Sequence, residues 1–194
     1  MTIMGRDESD SNPASHIFYP CMQCADIFFI GADIAQLGMD QRKVNMLARE
    51  YCSEKVKKGN KQERNRFRHR PVILSHHMLL GLLKGQEKMS KSDPNSAIFM
   101  EDTKADVKRK LTKAFCPPNV VEKNPCMDYM KHIVFRMYDN ITLMRNGGDK
   151  EDREYDSYDK FDEDYVSGEI HPNDLKHTLN HYINEILEPT RPSF

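Results

Sequence analysis

A stretch crowded with glycine, lysine, serine and proline, residues 81–95, separates two parts of the chain that carry different patterns. Residues of these types interrupt regular secondary structure, so the stretch is predicted to be a loop. Before it, a short apolar run at 71–74 lies among helical patterns and predicts a buried strand. After it, helical patterns dominate to the end. The sequence therefore predicts an α/β part over 1–96 followed by an all-α part over 97–194.

Apolar residues recur at helical spacing in several segments of the chain. Helices are predicted over 19–30, 40–51, 103–115, 127–143 and 172–188. Asp40 is expected to cap the second of these helices. The basic segment at 55–70 contains Gly59 and Asn60 and is interpreted as a loop or a frayed helix end.

The charge of the chain is segregated although its sum is close to zero. The formal net charge of the 194 residues is −1, which excludes a uniformly basic nucleic-acid binder. Residues 55–70 carry eight bases against one acid, whereas residues 149–164 carry nine acids against three bases. A polyanion is therefore expected to bind one part of the surface and to be repelled by another, unless both segments are simply solvated faces.

The composition indicates a cytoplasmic protein with reduced thiols. No window approaches 18 uninterrupted apolar residues, and residues 1–15 are polar where a signal peptide is apolar. The five cysteines are odd in number and scattered, unlike a disulfide framework. Cys21 and Cys24 form a C-x-x-C pair without a matching second pair, and they are interpreted as two buried thiols instead of a zinc or redox site.

Two neighbouring segments carry polar side chains suited to a small ligand. Tyr19, Gln23 and Asp26 follow one another at i, i+4 and i+7, which places them on one helix face. Such a face is either solvated or able to bond a hydroxyl and an ammonium group. Residues 38–43 stand at the start of the next helix, where free backbone donors favour anions or sugar hydroxyls, and Asp40 is able to accept bonds from a ribose.

The loop itself contains the string Lys-Met-Ser-Lys-Ser at 88–92. Two lysines three residues apart are able to neutralise a triphosphate and to follow the charge as pyrophosphate leaves. The phosphate loop of the Walker type, G-x-x-x-x-G-K-[ST], is absent from the sequence.

These motifs resemble the class I aminoacyl-tRNA synthetases, whose signature loop has the same string as residues 88–92. The closer resemblance is to tyrosyl-tRNA synthetase of the eukaryotic and archaeal kind, through Tyr19-Pro-x-x-Gln-x-x-Asp26 and Gly38-x-Asp-Gln-Arg-Lys43. It continues in Gly-Gly-Asp at 147–149 and His-Pro-Asn-Asp-Leu-Lys at 171–176. The resemblance implies half of a Rossmann-like nucleotide-binding domain, carrying the lysine loop, followed by a helical anticodon-binding domain.

The resemblance also assigns roles to individual positions. Four residues are implied to bind the tyrosine substrate, with the carboxylate of Asp26 facing the phenolic hydroxyl: Tyr19, Gln23, Asp26 and Gln41. Five are implied to bind ATP at its ribose or phosphates, with the two lysines acting in catalysis: Gly38, Asp40, Lys88, Ser90 and Lys91. Three are implied to bind the anticodon: His171, Pro172 and Asp174.

The implied reaction joins tyrosine to ATP, with Mg²⁺ on the phosphates, and then transfers the tyrosyl group to tRNA(Tyr). The family works as a homodimer, so a homodimer is expected here, and no membrane partner is expected. Two departures stand out. The family often has an aromatic residue where this chain has Asn146, and its His-x-Gly-His motif is absent from the sequence. Another segment or chain is expected to supply that motif.

Two other functions remain open from the sequence. One is a tryptophanyl-tRNA synthetase, which Asp26 and the Asp-Gln-Arg-Lys string disfavour. The other is a tRNA-binding or assembly fragment without catalysis of its own, which the missing His-x-Gly-His motif favours.

Overall fold

The computed structural model describes residues 14–89, 93–145 and 151–193. The chain divides into two compact units after Met78, earlier than the expected boundary at 96. The reason lies in Leu82, which is fully buried in the core of the second unit. The backbone N–H of Leu82 donates to the Ser96 carbonyl, and its carbonyl accepts from the N–H of Phe115. The lysine loop therefore belongs with the helices that follow it.

The first unit is a small α/β assembly. Its elements are α1 (Ala14–Phe29), β1 (Ile34–Gly38), a 3₁₀ turn (Met39–Gln41), α2 (Arg42–Lys58), α3 (Lys61–Arg66) and β2 (Val72–His76). The two strands pair in parallel, with Ile34 opposite Val72 and Gly38 opposite His76. The predicted α/β character, with helices and a parallel sheet, is confirmed. The sequence did not predict strand β1, because its five residues include glutamine and glycine and form a strand through pairing with β2.

A buried stripe on α1 packs against α2 to form the core of this unit. Cys24 and Ile27 contribute from α1, and Val44 and Ala48 contribute from α2. The chain reverses after α1 at Gly31, whose φ of 66° lies in the left-handed region that glycine tolerates.

The basic segment is largely helical, contrary to the interpretation as a loop or frayed end. It comprises the last turn of α2 and the whole of α3. Asn60 starts α3 through a capping box: its side chain accepts from the N–H of Glu63, and the Glu63 carboxylate accepts from the N–H of Asn60. The break at Gly59 and Asn60 is thus the boundary between two helices.

In the part of the first unit that the structure describes, one face of the parallel sheet is uncovered. Ile34, Val72 and Leu74 are 60%, 50% and 47% exposed. Parallel sheets are normally covered on both faces. Among the described residues of this unit, none therefore packs over the apolar face.

The second unit is mainly helical. Its elements are α4 (Lys104–Lys113), α5 (Pro125–Tyr129), a π turn (Met130–Val134), α6 (Phe135–Met137), β3 (Ile141–Leu143), β4 (Arg153–Tyr155), α7 (Tyr158–Ser167), α8 (Pro172–Leu187) and a 3₁₀ turn (Arg191–Ser193). No described helix combines the length and the apolar character needed to cross a bilayer.

This unit contains a short sheet, so the all-α prediction is wrong in that detail. The helix expected over 127–143 ends at Met137, and its last residues form β3, which pairs antiparallel with β4. Ile141 and Leu143 point into the core at alternate positions and are fully buried, which suits a strand. The main core packs α4 against α8 through Val107, Leu111 and other buried residues.

Candidate functional site

The predicted polar face of α1 is present and borders the buried stripe of that helix. Tyr19 is 53% exposed, Gln23 is half-buried and Asp26 is exposed. Their neighbours Cys24 and Ile27 are buried. The apolar residues of α1 therefore pack into the core, while a phenol, an amide and a carboxylate remain accessible along one side of the helix.

The second polar group lies at the carboxyl end of the parallel strands. Gly38 ends β1, and Asp40 and Gln41 follow it in the 3₁₀ turn. Ligands of open α/β sheets bind at this edge, because the loops after the strands meet there. Asp40 was expected at the N-cap of α2, but it lies in the 3₁₀ turn and Gln41 occupies the N-cap, where the Gln41 side chain makes no capping bond. His76 ends β2 at the same edge, opposite Gly38, and the sequence reasoning did not assign it to a site.

Gly38 is required by close packing and not by its backbone conformation. Its φ of −59° and ψ of 157° are ordinary for any residue. A Cβ at this position would lie 2.1 Å from Sδ of Met78 and 2.8 Å from Oδ1 of Asp40. A side chain here would therefore force the side chains of Met78 and Asp40, or β1 itself, to move.

The C-x-x-C pair is only partly as expected. Cys24 is buried, whereas Cys21 is exposed, and both are free thiols. Burial, with a smaller contribution from Cys21, raises the pKa of the Cys24 thiol above its ordinary value, so this thiol is a poor nucleophile or metal ligand at neutral pH. The interpretation as buried thiols holds for one of the two residues.

The lysine loop is held at its base. The N–H of Leu82 bonds to the Ser96 carbonyl, 2.9 Å apart, and the N–H of Leu83 bonds to Oε1 of Gln86. Lys88 is exposed on this loop. Ser90 and Lys91 lie outside the described residues.

The first turn of α8 carries the three residues expected at the anticodon site. Nδ1 of His171 accepts from the N–H of Asn173, and Pro172 takes the first helical position, as the pattern of a helix start predicts. Oδ2 of Asp174 lies 3.3 Å from Nη1 of Arg145. That guanidinium also donates to the Glu169 carbonyl at 2.8 Å.

Arg145 is the residue that the sequence reasoning missed at this site. Its side chain is 9% exposed, and its Nε is buried without a hydrogen-bond partner in the described part of the chain. Its position directly before Asn146 and the Gly-Gly-Asp string was the available signal. Asn146 and that string lie outside the described residues.

The candidate residues therefore fall into separate groups. The first unit carries those expected to bind tyrosine and the ribose: Tyr19, Gln23, Asp26, Gly38, Asp40 and Gln41. The described part of the second unit carries the remaining ones: Lys88, His171, Pro172 and Asp174.

Comparison with known proteins places these features in a family. The family model described as "tRNA synthetases class I (W and Y)" matches residues 2–188. Tyrosine--tRNA ligase 1, cytoplasmic, of Arabidopsis thaliana is 56% identical over 195 residues, which cover 99% of this chain and 47% of the relative. The chain spans about half the length of such relatives.

Solved structures give the same result. Tyrosyl-tRNA synthetase from Pyrococcus horikoshii, complexed with L-tyrosine, superimposes with a TM-score of 0.82 at 36% identity, covering 100% of this chain and 56% of that chain. Tryptophanyl-tRNA synthetase from Aeropyrum pernix gives a TM-score of 0.60 at 18% identity, over 92% of this chain and 47% of that chain, a likeness of fold alone. The chain belongs to the class I tRNA synthetases of the tryptophanyl and tyrosyl group.

Proposed function

We propose that the chain is part of a cytoplasmic tyrosine--tRNA ligase. In the reaction, the tyrosine carboxylate attacks the α-phosphorus of ATP to form tyrosyl-adenylate and release pyrophosphate, and the tyrosyl group then passes to the terminal ribose of tRNA(Tyr). The observation that carries the proposal is the accessible phenol, amide and carboxylate on α1, in a chain 56% identical to a tyrosine--tRNA ligase. Neither step needs a protein nucleophile, since positioning and charge stabilisation suffice.

Tyrosine would bind along α1. The carboxylate of Asp26 accepts a hydrogen bond from the phenolic hydroxyl, whereas Tyr19, Gln23 and Gln41 hold the ammonium and carboxylate groups. A site built to bond a hydroxyl rejects the analogue without it by roughly 10⁴- to 10⁵-fold, because its polar groups are then left unpaired. This chemistry favours tyrosine over phenylalanine.

ATP would enter as its Mg²⁺ complex. Asp40 accepts bonds from the ribose hydroxyls, and the lack of a side chain at Gly38 leaves room for the side chains of Met78 and Asp40. Lys88 and Lys91, with Ser90 between them, neutralise the phosphates as the charge of the departing pyrophosphate develops.

The uncovered sheet face marks where the rest of the nucleotide-binding domain would pack. Ile34, Val72 and Leu74 form an apolar surface on a sheet that has two strands in the described part of the chain. Two strands are marginal by themselves, and parallel strands need cover on both faces. The occupant we propose is the strand and helix layer that carries the His-x-Gly-His motif in the family.

The second unit would bind the anticodon through the first turn of α8. A carboxylate such as that of Asp174 accepts hydrogen bonds from the Watson–Crick edge of guanine, and unstacked loop bases suit this kind of recognition. The ion pair with Arg145 fixes the direction of the Asp174 side chain. His171 and Pro172 position the backbone at the same turn.

We further propose a homodimer through the groove between α1 and α2. This groove has a volume of about 610 Å³ and is lined mainly by apolar side chains. Phe28, Tyr51 and Phe67 pack together within it, with ring centroids 5.2–5.6 Å apart, and Phe67 meets each of the other two rings edge to face. Phe29 at its rim is 89% exposed, an unusual position for an aromatic ring.

Light scattering tests the dimer. The unaltered chain is expected to have twice the chain mass, and Phe29→Asp is expected to have the single mass because it places a charge in the apolar contact. Lys57→Asp, an exposed change on α2, serves as the control. A monomeric unaltered chain, or a Phe29→Asp variant that stays dimeric, contradicts this interface.

Pyrophosphate exchange into ATP tests the activity. It is measured with tyrosine, tryptophan and phenylalanine on the chain alone and on a fused form, in which the Arabidopsis segment preceding the matched region is joined to its N-terminus. Exchange by the fused form with tyrosine is expected. Exchange with tryptophan and not tyrosine would refute the proposal.

A second function is favoured by the absence of the His-x-Gly-His motif from the sequence. The chain would then be a tRNA-binding or assembly fragment without catalysis of its own. Failure of both forms to catalyse exchange, together with retained binding of tRNA(Tyr), would support this alternative.

A further inference from the structure

A small polar cup lies between α4 and α8, apart from the residues assigned to the anticodon. Its volume is about 260 Å³, below the range usual for drug-sized ligands. Its lining combines two lysines, a histidine, two asparagines, a threonine and one leucine: Lys108, Leu111, Thr112, Asn173, Lys176, His177 and Asn180. None of the described residues that line the cup carries a carboxylate, so the cup is suited to a small anion.

The helices fix the shape of the cup. On α8, Asn173, Lys176 and Asn180 follow one another at i, i+3 and i+7, on one face. Nζ of Lys176 donates to the Thr112 carbonyl at 2.9 Å, in the last turn of α4. An ammonium group has three donors, so this bond fixes the position of Lys176 and leaves further donors for a ligand. Lys108 approaches from α4 and is exposed.

The charge changes sign a short distance away. The neighbouring groove beyond Asn180 is lined by Lys104, Glu185 and Glu188 among others, and Lys104 pairs with Glu188 at 3.1 Å. An extended polyanion would meet carboxylates there. The cup therefore has room and charge for one or two phosphate groups.

The cup adjoins the turn that we propose for anticodon binding. Asn173 lines the cup, whereas its neighbour Asp174 points to Arg145. Successive residues of a helix lie about 100° apart, so a base at Asp174 and a phosphate at Asn173 would occupy adjacent faces of the same turn.

We propose that the cup binds a backbone phosphate of the RNA loop whose base is read at Asp174, an inference that rests on the proposed function. Contacts with phosphates position a nucleic acid and carry no sequence information. Lys108 and Lys176 thus hold the loop in register, and Asp174 reads the base.

The test measures binding of a hairpin RNA with the tRNA(Tyr) anticodon loop, and of a second hairpin whose first anticodon base is changed, from 0.05 to 0.3 M KCl. Loss of one phosphate contact lowers the slope of log K against log salt by about 0.7 for single-stranded RNA, which is about fivefold in affinity at 0.1 M. For Lys108→Gln we expect this decrease in slope and affinity, equally for both hairpins. For Asn173→Asp we expect a larger decrease in affinity. Lys113→Gln, which removes the same charge from the exposed end of α4, should bind like the unaltered chain.

The Asp174→Ala variant distinguishes the proposed anticodon site from the proposed phosphate site in the cup. If this variant loses discrimination between the hairpins while Lys108→Gln keeps the slope and affinity of Lys113→Gln, the cup is refuted and the anticodon site stands. If the unaltered chain binds neither hairpin, both proposals fail. Equal losses for Lys108→Gln and Lys113→Gln would show general charge attraction and would also refute the cup.

Discussion

Replacement of Gly38 by alanine probes the turn that carries the proposed ribose ligand. The new Cβ would meet Sδ of Met78 at 2.1 Å and Oδ1 of Asp40 at 2.8 Å. Its backbone angles are ordinary, so the cost of the substitution comes from crowding alone. Both facing atoms are ends of side chains, and Met78 must therefore rotate or β1 must shift.

The expected cost is that of overpacking a close contact, about 1–3 kcal/mol. Amides of β1 and the first turn of α2 should then exchange about 5- to 150-fold faster. The Met78→Ala background supplies room for the new methyl group. In that background the cost of Gly38→Ala should fall, with an interaction free energy of about 0.5–3 kcal/mol between the two sites.

Hydrogen exchange followed by mass spectrometry measures this local loss of stability on peptides that cover residues 34–48. Peptides of α8 serve as an internal reference, since they belong to the second unit. Unchanged exchange in Gly38→Ala would refute the crowding argument. So would an equal effect of Gly38→Ala with and without Met78→Ala.

Two further substitutions test the framework of each unit. Lys110→Met should lower the free energy of unfolding by about 3–5 kcal/mol. Nζ of Lys110 lies 2.6 Å from the carboxylate of Asp102 in a buried pair, and its loss leaves that charge unpaired. Urea unfolding should show this decrease, and a decrease as small as that of Lys113→Met would contradict the expectation. Asn60→Ala removes the cap of α3 and should destabilise that helix by about 1 kcal/mol. The backbone amides of residues 60–67 should then exchange their hydrogens faster. The exposed substitution Asn65→Ala is the control, and equal exchange in both variants would rule out the capping role.

The sequence predicted elements whose stability is local. Helix α8 was predicted because six apolar residues recur on one face and a proline opens it, and both features act within the helix. Strand β1 was missed since Ile34–Gly38 has a weak strand pattern and depends on pairing with Val72–His76, far along the chain. The strand Ile141–Leu143 was assigned to a helix for the same reason, as its partner is Arg153–Tyr155.

Other misses had signals in the sequence. Asn60 and Glu63 stand three residues apart, the spacing of a capping box, yet the adjacent Gly59 suggested a loop. In the acidic segment, Phe161 and Tyr165 lie four residues apart and are both fully buried, which marks α7. The high charge of that segment obscured this short apolar face.

The sequence motifs predicted more of the candidate site residues than the chemistry of the individual side chains did. Spacing alone placed Tyr19, Gln23 and Asp26 on one face, and the structure confirms that arrangement. The pairing of Asp174 with Arg145 was not predictable, because a contact between residues 29 positions apart depends on how β3 and α8 pack.

We propose that the Asp26 carboxylate selects tyrosine over phenylalanine. The most direct measurement is the ratio of pyrophosphate exchange with tyrosine to that with phenylalanine, in the fused form and in its Asp26→Ala variant. We expect a strong preference for tyrosine in the unaltered form and a fall of this ratio by at least about 100-fold in Asp26→Ala, since the hydroxyl loses its partner. An unchanged ratio in Asp26→Ala would contradict it.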